Sequence, residues 1–312
     1  MIKKKFKNVL VVLGGTSGER AVSLDSGRAC VKALKKKKYN VSIFDPKIKN
    51  FNLISKEKVD VIFNALHGKY GEDGVAQSYF EYLQIPYTHS GVISSHNAMN
   101  KIISKEIFIK NKIKTPKFFV LSKEEFTKEK VKKILTIKKI KFPIVVKPVN
   151  EGSSLGVEVC KNDIFLNRAV KNLFKKYDHL IFEKYIGGQE IQVAIINNNL
   201  LGAIELIPKR SFYDYKAKYT KAAKTKHVMP ARLKKEKYRE VLRIAKEAHK
   251  VLGCKGVTRS DFKFFKNRFY LLEINTQPGM TNLSLVPEIA NYKGLNFENL
   301  VEKILLDASI NR

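Results

Sequence analysis

Asp261, Glu273 and Asn275 stand close together near the end of the chain and carry only oxygen donors. Two carboxylates and an amide carbonyl, with no His or Cys beside them, form a hard donor set suited to Mg2+ bridging phosphates rather than to zinc. Whether they share a face depends on one turn. If residues 262–265 and 269–272 pair as a hairpin through the three-residue loop Lys266-Asn267-Arg268, Asp261 opposes Glu273 and Arg259 opposes Asn275. Strand alternation then puts all four on one face, whereas a two-residue loop would split the carboxylates between faces and favour a solvated hairpin edge. Two glycine clusters, Gly14-Gly15-x-x-Gly18 and Glu151-Gly152-Ser153-Ser154-Leu155-Gly156, each follow an apolar run and could turn backbone N–H groups toward phosphate. Neither has the spacing of a P-loop or a dinucleotide fingerprint, and either alone reads equally well as a tight turn. Lys147 closes an apolar run and Lys101 opens a helical one, positions from which an ammonium could hold polyphosphate as a point charge. With fifty lysines in the chain, chance placement is the competing explanation. Glu183 and Glu190 flank a candidate base and ribose position, but by pattern alone they do not differ from surface carboxylates. His67 follows an apolar strand at the carboxyl edge of a parallel sheet, where ligand sites concentrate, and reads equally well as a capping histidine. The other histidines show no metal-ligand spacing.

These side chains need elements to position them. Val9 to Leu13, the glycine turn and a stripe of Leu24, Gly27, Val31 and Leu34 make a strand, turn and helix unit. Apolar runs at 41–44 and 59–65, a helix at 75–83 and a short strand at 85–88 extend it into a parallel α/β region. A helix over 98–112, a strand at 118–121, a lysine-rich helix and a strand at 142–146 follow. Beyond Gly187-Gly188, residues 191–196 and 200–206, joined by Asn197-Asn198-Asn199, read as a hairpin. The polar, aromatic stretch from Pro208 to Pro230 exceeds the ~12 to 15 residues of a passive connection and suggests a lid.

Composition excludes several classes. The chain has 312 residues with 44% hydrophobic and 10% aromatic content, enough for two or three globular domains. No uncharged apolar run approaches the ~18 residues of a membrane helix, and the apolar stretch after the N-terminal lysines is too short for a secretory signal. Cys30, Cys160 and Cys254 form no Cys-x-x-Cys pair, which fits a reducing cytoplasm. Sixty Lys and Arg against 29 Asp and Glu give a net charge of +31, which invites a nucleic-acid reading. Only ten of the sixty are Arg, and no RNP pattern, zinc-finger spacing or aromatic-basic stripe accompanies them, so a solvated lysine-rich surface without a specific nucleic-acid partner is preferred.

The order of these segments carries more than any one of them. The runs are Gly14-Gly15-x-Ser17-x-Glu19-Arg20-x-Val22-Ser23-Leu24, Leu66-His67-Gly68-x-x-Gly71-Glu72-Asp73-Gly74 and Val146-Lys147-Pro148 with Glu151-Gly152-Ser153-Ser154. They continue in Phe212-Tyr213-Asp214-Tyr215-x-Ala217-Lys218-Tyr219, Gly256-x-x-Arg259-x-Asp261-Phe262 and Glu273-Ile274-Asn275-Thr276-x-Pro278-Gly279-Met280-Thr281-x-x-Ser284-Leu285. Over nearly its whole length the chain resembles the D-alanine–D-alanine ligase family of the ATP-grasp superfamily. The resemblance implies an α/β protein, α+β in its C-terminal lobes. A Rossmann-like substrate domain would span 1–96, a central ATP-grasp lobe 97–187, and a C-terminal lobe with the Mg2+ and second-substrate sites 188–312. It implies ATP held by Lys101, Lys147, Glu183, Lys184, Ile186 and Glu190, and two Mg2+ (or Mn2+) ions on Asp261, Glu273 and Asn275. Glu19 would hold the first D-alanine ammonium, linked through Ser153 to Tyr219, with His67 and Lys218 near the substrates. Arg259, Gly279, Ser284 and Leu285 would position the second amino acid and the oxyanion. It further implies D-alanyl-D-alanine formation for peptidoglycan precursors, small-molecule partners only, a homodimer and no membrane association. Three positions depart from the family pattern: Asn100 for an aspartate, Val75 for a threonine, and Ser260 for an aliphatic residue.

Overall fold

The computed structural model describes residues 5–208 and 225–312. The first sheet is parallel, in the order β2-β1-β3, from β1 (Asn8–Val12), β2 (Asn40–Phe44) and β3 (Val61–Asn64). Val9 to Val12 are fully buried, as expected where helices or other lobes cover both faces of a strand. Helix α1 (Arg20–Lys36) buries Ser23, Ser26, Gly27, Cys30 and Leu34, a spacing of three and four that forms one face. Gly27 is required there: a β-carbon would come within 2.5 Å of Leu13 Cβ, so only glycine lets the helix approach the strand this closely. Helix α2 (Val75–Tyr82) packs nearby. The strand expected at 85–88 reduces to one parallel bridge, Ile62 with Tyr87, and Tyr87 also bridges Ser309 near the C-terminus.

The single helix expected over 98–112 is two helices, α3 (Val92–Met99) and α4 (Lys101–Lys110). Asn100 interrupts them in an extended conformation, and its side-chain oxygen accepts hydrogen bonds from the N–H groups of Ile102 and Ile103. Asparagine and aspartate both favour this N-cap position, so the departure at Asn100 keeps the capping function. The expected division between 96 and 97 falls inside α3.

The second sheet is antiparallel, in the order β4-β7-β5-β6, from β4 (Phe118–Ser122), β5 (Ile144–Pro148), β6 (Glu158–Cys160) and β7 (His179–Lys184). Helices α5 (Lys128–Ile137) and α6 (Asp163–Leu173) close its core through Val131, Leu135, Leu166 and Val170. The third sheet runs β10-β9-β8-β11-β12, from β8 (Gln189–Ile196), β9 (Asn199–Ile207), β10 (Lys226–Val228), β11 (Val257–Phe265) and β12 (Arg268–Asn275). Helix α7 (Lys235–Val251) covers one face of it, and α8 (Leu285–Tyr292) and α9 (Phe297–Leu306) lie on the other side, toward the first sheet. Of the stretch expected to be a lid, 209–224 lies outside the described residues, while Lys226–Val228 pairs with β9.

Both hairpins of the third sheet differ from expectation in the same way. Their turns have two residues, Asn197-Asn198 and Lys266-Asn267, with φ of 48° and 62° and of 47° and 60°. Two consecutive left-handed residues fit the twist of the flanking strands. Arg268 therefore pairs with Phe265 instead of belonging to the loop. Asp261 still opposes Glu273, and Arg259 still opposes Asn275, because a bulge shifts the register between Asp261 and Phe262. Phe262 pairs with Leu271, so Leu272 is the extra residue that returns both carboxylates to one face.

The first and third sheets share a core. Val9, Val11 and Phe63 join Ile196 and Ile204 with Val301 and Ile304 of α9 in one buried cluster. The three cysteines are buried and free. No helix among the described residues is long and apolar enough to cross a membrane.

Candidate active site

A cleft lies between the second and third sheets. All six side chains expected at a nucleotide line it: Lys101, Lys147, Glu183, Lys184, Ile186 and Glu190. Asp261 and Glu273 line its other wall. The strands explain the convergence, since Lys147 lies one residue before the end of β5, Glu183 and Lys184 end the neighbouring β7, and Glu190 is the second residue of β8. The cleft is dense in charge. Glu183 is buried between two ammonium groups, with Lys105 Nζ 2.8 Å and Lys147 Nζ 2.9 Å from its two oxygens. Burial alone would push its carboxyl up, but the two cations hold it below the usual carboxylate range. Glu190 pairs with Lys263 at 2.8 Å, and Lys101 lies 3.6 Å from Glu273 while donating to the Glu151 carbonyl.

A second, smaller cleft adjoins the first and shares Lys101, Glu151 and Glu273 with it. Glu72, Gly152, Ser153, Arg259, Asn275 and Thr276 also line it. Arg259 grips Asp261 through two parallel bonds, Nε to Oδ1 at 2.7 Å and Nη2 to Oδ2 at 2.9 Å. Glu19 stands at the N-cap of α1 without capping it, and instead accepts a hydrogen bond from the Ser153 hydroxyl, 134 residues away. A β-carbon on Gly152 would meet Glu19 Oε1 at 2.5 Å and Glu72 Oε1 at 3.5 Å, so two carboxylates bracket this backbone. Such a pair suits an ammonium group. His67 Nδ1 lies 3.8 Å from Glu72, and its Nε2 lies 3.3 Å from the Ser26 hydroxyl. Ser26 also accepts from the Met280 N–H at 3.0 Å, which ties α1 to the Gly279 turn.

Gly279, Ser284 and Leu285 form that turn and the start of α8. The Ser284 hydroxyl accepts from the Thr281 N–H at 2.9 Å, and Leu285 is buried. None of the three lines either cleft wall as Arg259 does. Lys218 and Tyr219 lie outside the described residues. Ser260 is fully buried on the face opposite Arg259 and Asp261, and its hydroxyl has no hydrogen-bond partner among the described residues.

Three side chains of these clefts, and one buried behind them, were not singled out from the sequence. Lys105 follows Lys101 by one helical turn on the buried stripe Lys101, Ser104, Lys105 and Phe108, a spacing that was readable. Lys263 follows Asp261 by two on the same strand, which alternation would have flagged. Glu72 and Glu151 belong to quoted motifs but had no signal separating them from their neighbours.

A parallel α/β lobe followed by two antiparallel sheets, with a charge-lined cleft between those sheets, defines an ATP-grasp ligase. The family description "D-ala D-ala ligase C-terminus" matches residues 107–306, and "D-ala D-ala ligase N-terminus" matches residues 44–90. The chain belongs to the D-alanine–D-alanine ligase family. It is 56% identical to the D-alanine–D-alanine ligase of Pelagibacter ubique over 98% of this chain and 99% of that one. The ligase of Geotalea uraniireducens is 43% identical, covering 98% and 97%. Among solved structures, the ligase from Bacillus anthracis superposes with a TM-score of 0.86 at 34% identity, covering 96% of this chain and 97% of that one. The same organism's ligase complexed with ATP gives 0.83 at 31%, with the same coverage.

Proposed function

We propose that this protein joins two D-alanine molecules into D-alanyl-D-alanine at the expense of ATP, through an acyl phosphate, and so supplies the end of peptidoglycan precursors. The carrying observation is the contact between the two clefts: a cation-rich, carboxylate-walled nucleotide site opens directly into a space bracketed by Glu19, Glu72 and Arg259.

The chemistry requires that contact. An amine does not readily displace oxide from a carboxylate, but it displaces phosphate from an acyl phosphate. Lys101 and Lys147 offset the charge of the γ-phosphate while the carboxylate of the first D-alanine attacks it. Glu19, oriented by Ser153, holds that molecule's ammonium, and His67 steadies Glu72 beside it. Arg259 and the Gly279 N–H receive the tetrahedral oxyanion formed when the second D-alanine's neutral amine attacks, with Ser284 and Leu285 shaping its pocket. The family resemblance also assigns Lys218 and Tyr219 to the substrates.

Asp261, Glu273 and Asn275 fit Mg2+ or Mn2+. All their donors are oxygens on one hairpin face, and Mg2+ uses one or two protein carboxylates alongside substrate phosphates and water. When bound, the ions neutralise phosphate charge and activate the γ-phosphoryl group. Arg259, which grips Asp261, would then share that carboxylate with a cation. We assign the protein to the cytoplasm, as a homodimer, with substrate handling divided among 1–96, 97–187 and 188–312.

The test is phosphate release from ATP and Mg2+ with D-alanine, L-alanine, D-serine or D-lactate as acceptor. Release with D-alanine well above the other three is expected. Equal or greater release with another acceptor would move the specificity elsewhere.

A further inference from the structure

One charged group behind the nucleotide cleft has no task in the reaction. Lys105 lies on the buried face of α4 and is fully covered. Its ammonium donates to the Thr115 hydroxyl at 2.6 Å, sits 2.8 Å from Glu183 Oε1 and lies 5.6 Å from the centre of the Phe118 ring. Lys147 holds the other oxygen of the same carboxylate at 2.9 Å, but Lys147 and Glu183 line the cleft and Lys105 does not. The cluster has two cations and one anion. One cation is locked on the inner side, and the other faces the space where phosphates would lie.

Lys147 thus has two claimants. A buried carboxylate that loses its counter-ion is strongly disfavoured, so Glu183 opposes any movement of Lys147 toward phosphate unless another cation remains. Lys105 is placed to be that cation, since its burial and its bond to Thr115 keep it from following the nucleotide.

We infer that Lys105 is a positioning residue, the permanent counter-ion of Glu183, which lets Lys147 exchange that carboxylate for the phosphates of a bound nucleotide. The inference rests on the nucleotide reading above. Its charge balance is simple: with phosphate on Lys147, Lys105 and Glu183 remain as a neutral buried pair. Without Lys105, Lys147 and Glu183 are the neutral pair, and phosphate must compete with a buried carboxylate for one ammonium.

The experiment is a double-mutant cycle read by calorimetric binding of Mg-ADP to the full-length protein. Lys105→Met should weaken binding about tenfold or more, while the same change in a Glu183→Gln background should weaken it less than about threefold, because no carboxylate then holds Lys147. Any direct contribution of Glu183 to the nucleotide cancels in the comparison. In turnover, Lys105→Met should raise the ATP KM and leave the D-alanine KM unchanged. Equal weakening in both backgrounds, or none in either, would overturn the inference. If Lys105→Met does not fold, recovery of the fold and of binding by added Glu183→Gln supports it, and a double variant that stays unfolded overturns it. Wild-type protein that binds no Mg-ADP would refute the nucleotide reading itself, a result distinct from binding without coupling.

Discussion

At the scale of single residues, function rests on side chains brought together from distant parts of the chain. Ser153 reaches Glu19 across 134 positions, and Arg259 holds Asp261 two residues away on the same strand face. Arg259 is assigned to the oxyanion, and loss of one preorganised donor there typically costs ~2.7 to 4 kcal/mol of barrier. Arg259→Ala should therefore lose roughly 100- to 1000-fold in kcat while remaining folded, as checked by steady-state rates beside a thermal melt. Near-normal turnover would remove Arg259 from that role. Residue types alone made part of this site legible. The all-oxygen donor set was visible because its chemistry is carried by the side chains, lysines at strand and helix ends were candidates that competed with chance placement, and Glu19 entered only through the family resemblance. Lys105 was passed over although it follows Lys101 on one helix face: the spacing marks a buried stripe, but only the tertiary position of Glu183 shows what the ammonium does there.

At the scale of elements, the β11–β12 hairpin shows how the facing of two side chains can be read correctly through a wrong turn length. The expected three-residue loop is a two-residue turn, which by itself would have put Asp261 and Glu273 on opposite faces. The bulge at Leu272 cancels that change. Turn length and bulges are poorly legible in sequence because several combinations give the same alternation, whereas the facing of Asp261 and Glu273 is their common result. The site needs the facing of the carboxylates and not the bulge itself. Deleting Leu272 closes the bulge and leaves Glu273 opposite Asp261 in regular pairing, so Mg2+-dependent ATP turnover should persist, whereas Glu273→Ala should abolish it while far-UV circular dichroism stays native. Retained turnover in Glu273→Ala would show that the metal ligands lie elsewhere. Asn100 is the opposite case. Asparagine favours an N-cap, yet a helix is expected straight through it over 98–112, because apolar residues on both sides give no sign of the break that the cap creates.

At the scale of the whole molecule, the lobes are joined by cores and tails that no local pattern reveals. The first and third sheets share one buried cluster, and Arg312 at the end of the chain donates to the His89 carbonyl at 2.5 Å. His89 and His249 are buried near this junction. Burial, aided by the positive charge of Arg312, pushes the His89 imidazole down to about 3, and burial with Lys255 nearby pushes His249 down to about 4. Both groups titrate near 6.5 when unfolded, so at lower pH the unfolded chain binds more protons than the native one. Their stabilisation is complete above about pH 6.5 and is lost as pH falls through the acid range, by about 2 kcal/mol for each histidine at pH 5. The melting temperature should drop between pH 7 and pH 5, and the pair of changes His89→Asn and His249→Gln should flatten that slope. A melting temperature independent of pH over this window would contradict the burial argument.

In the proposed reaction the carboxylate of one D-alanine takes the γ-phosphoryl group of ATP before an amine displaces it. D-alanine labelled with 18O in its carboxylate follows that step. Dialanine should appear by mass spectrometry, with one 18O transferred to each inorganic phosphate released. Dialanine formed with unlabelled phosphate, or phosphate released without dialanine, would contradict it.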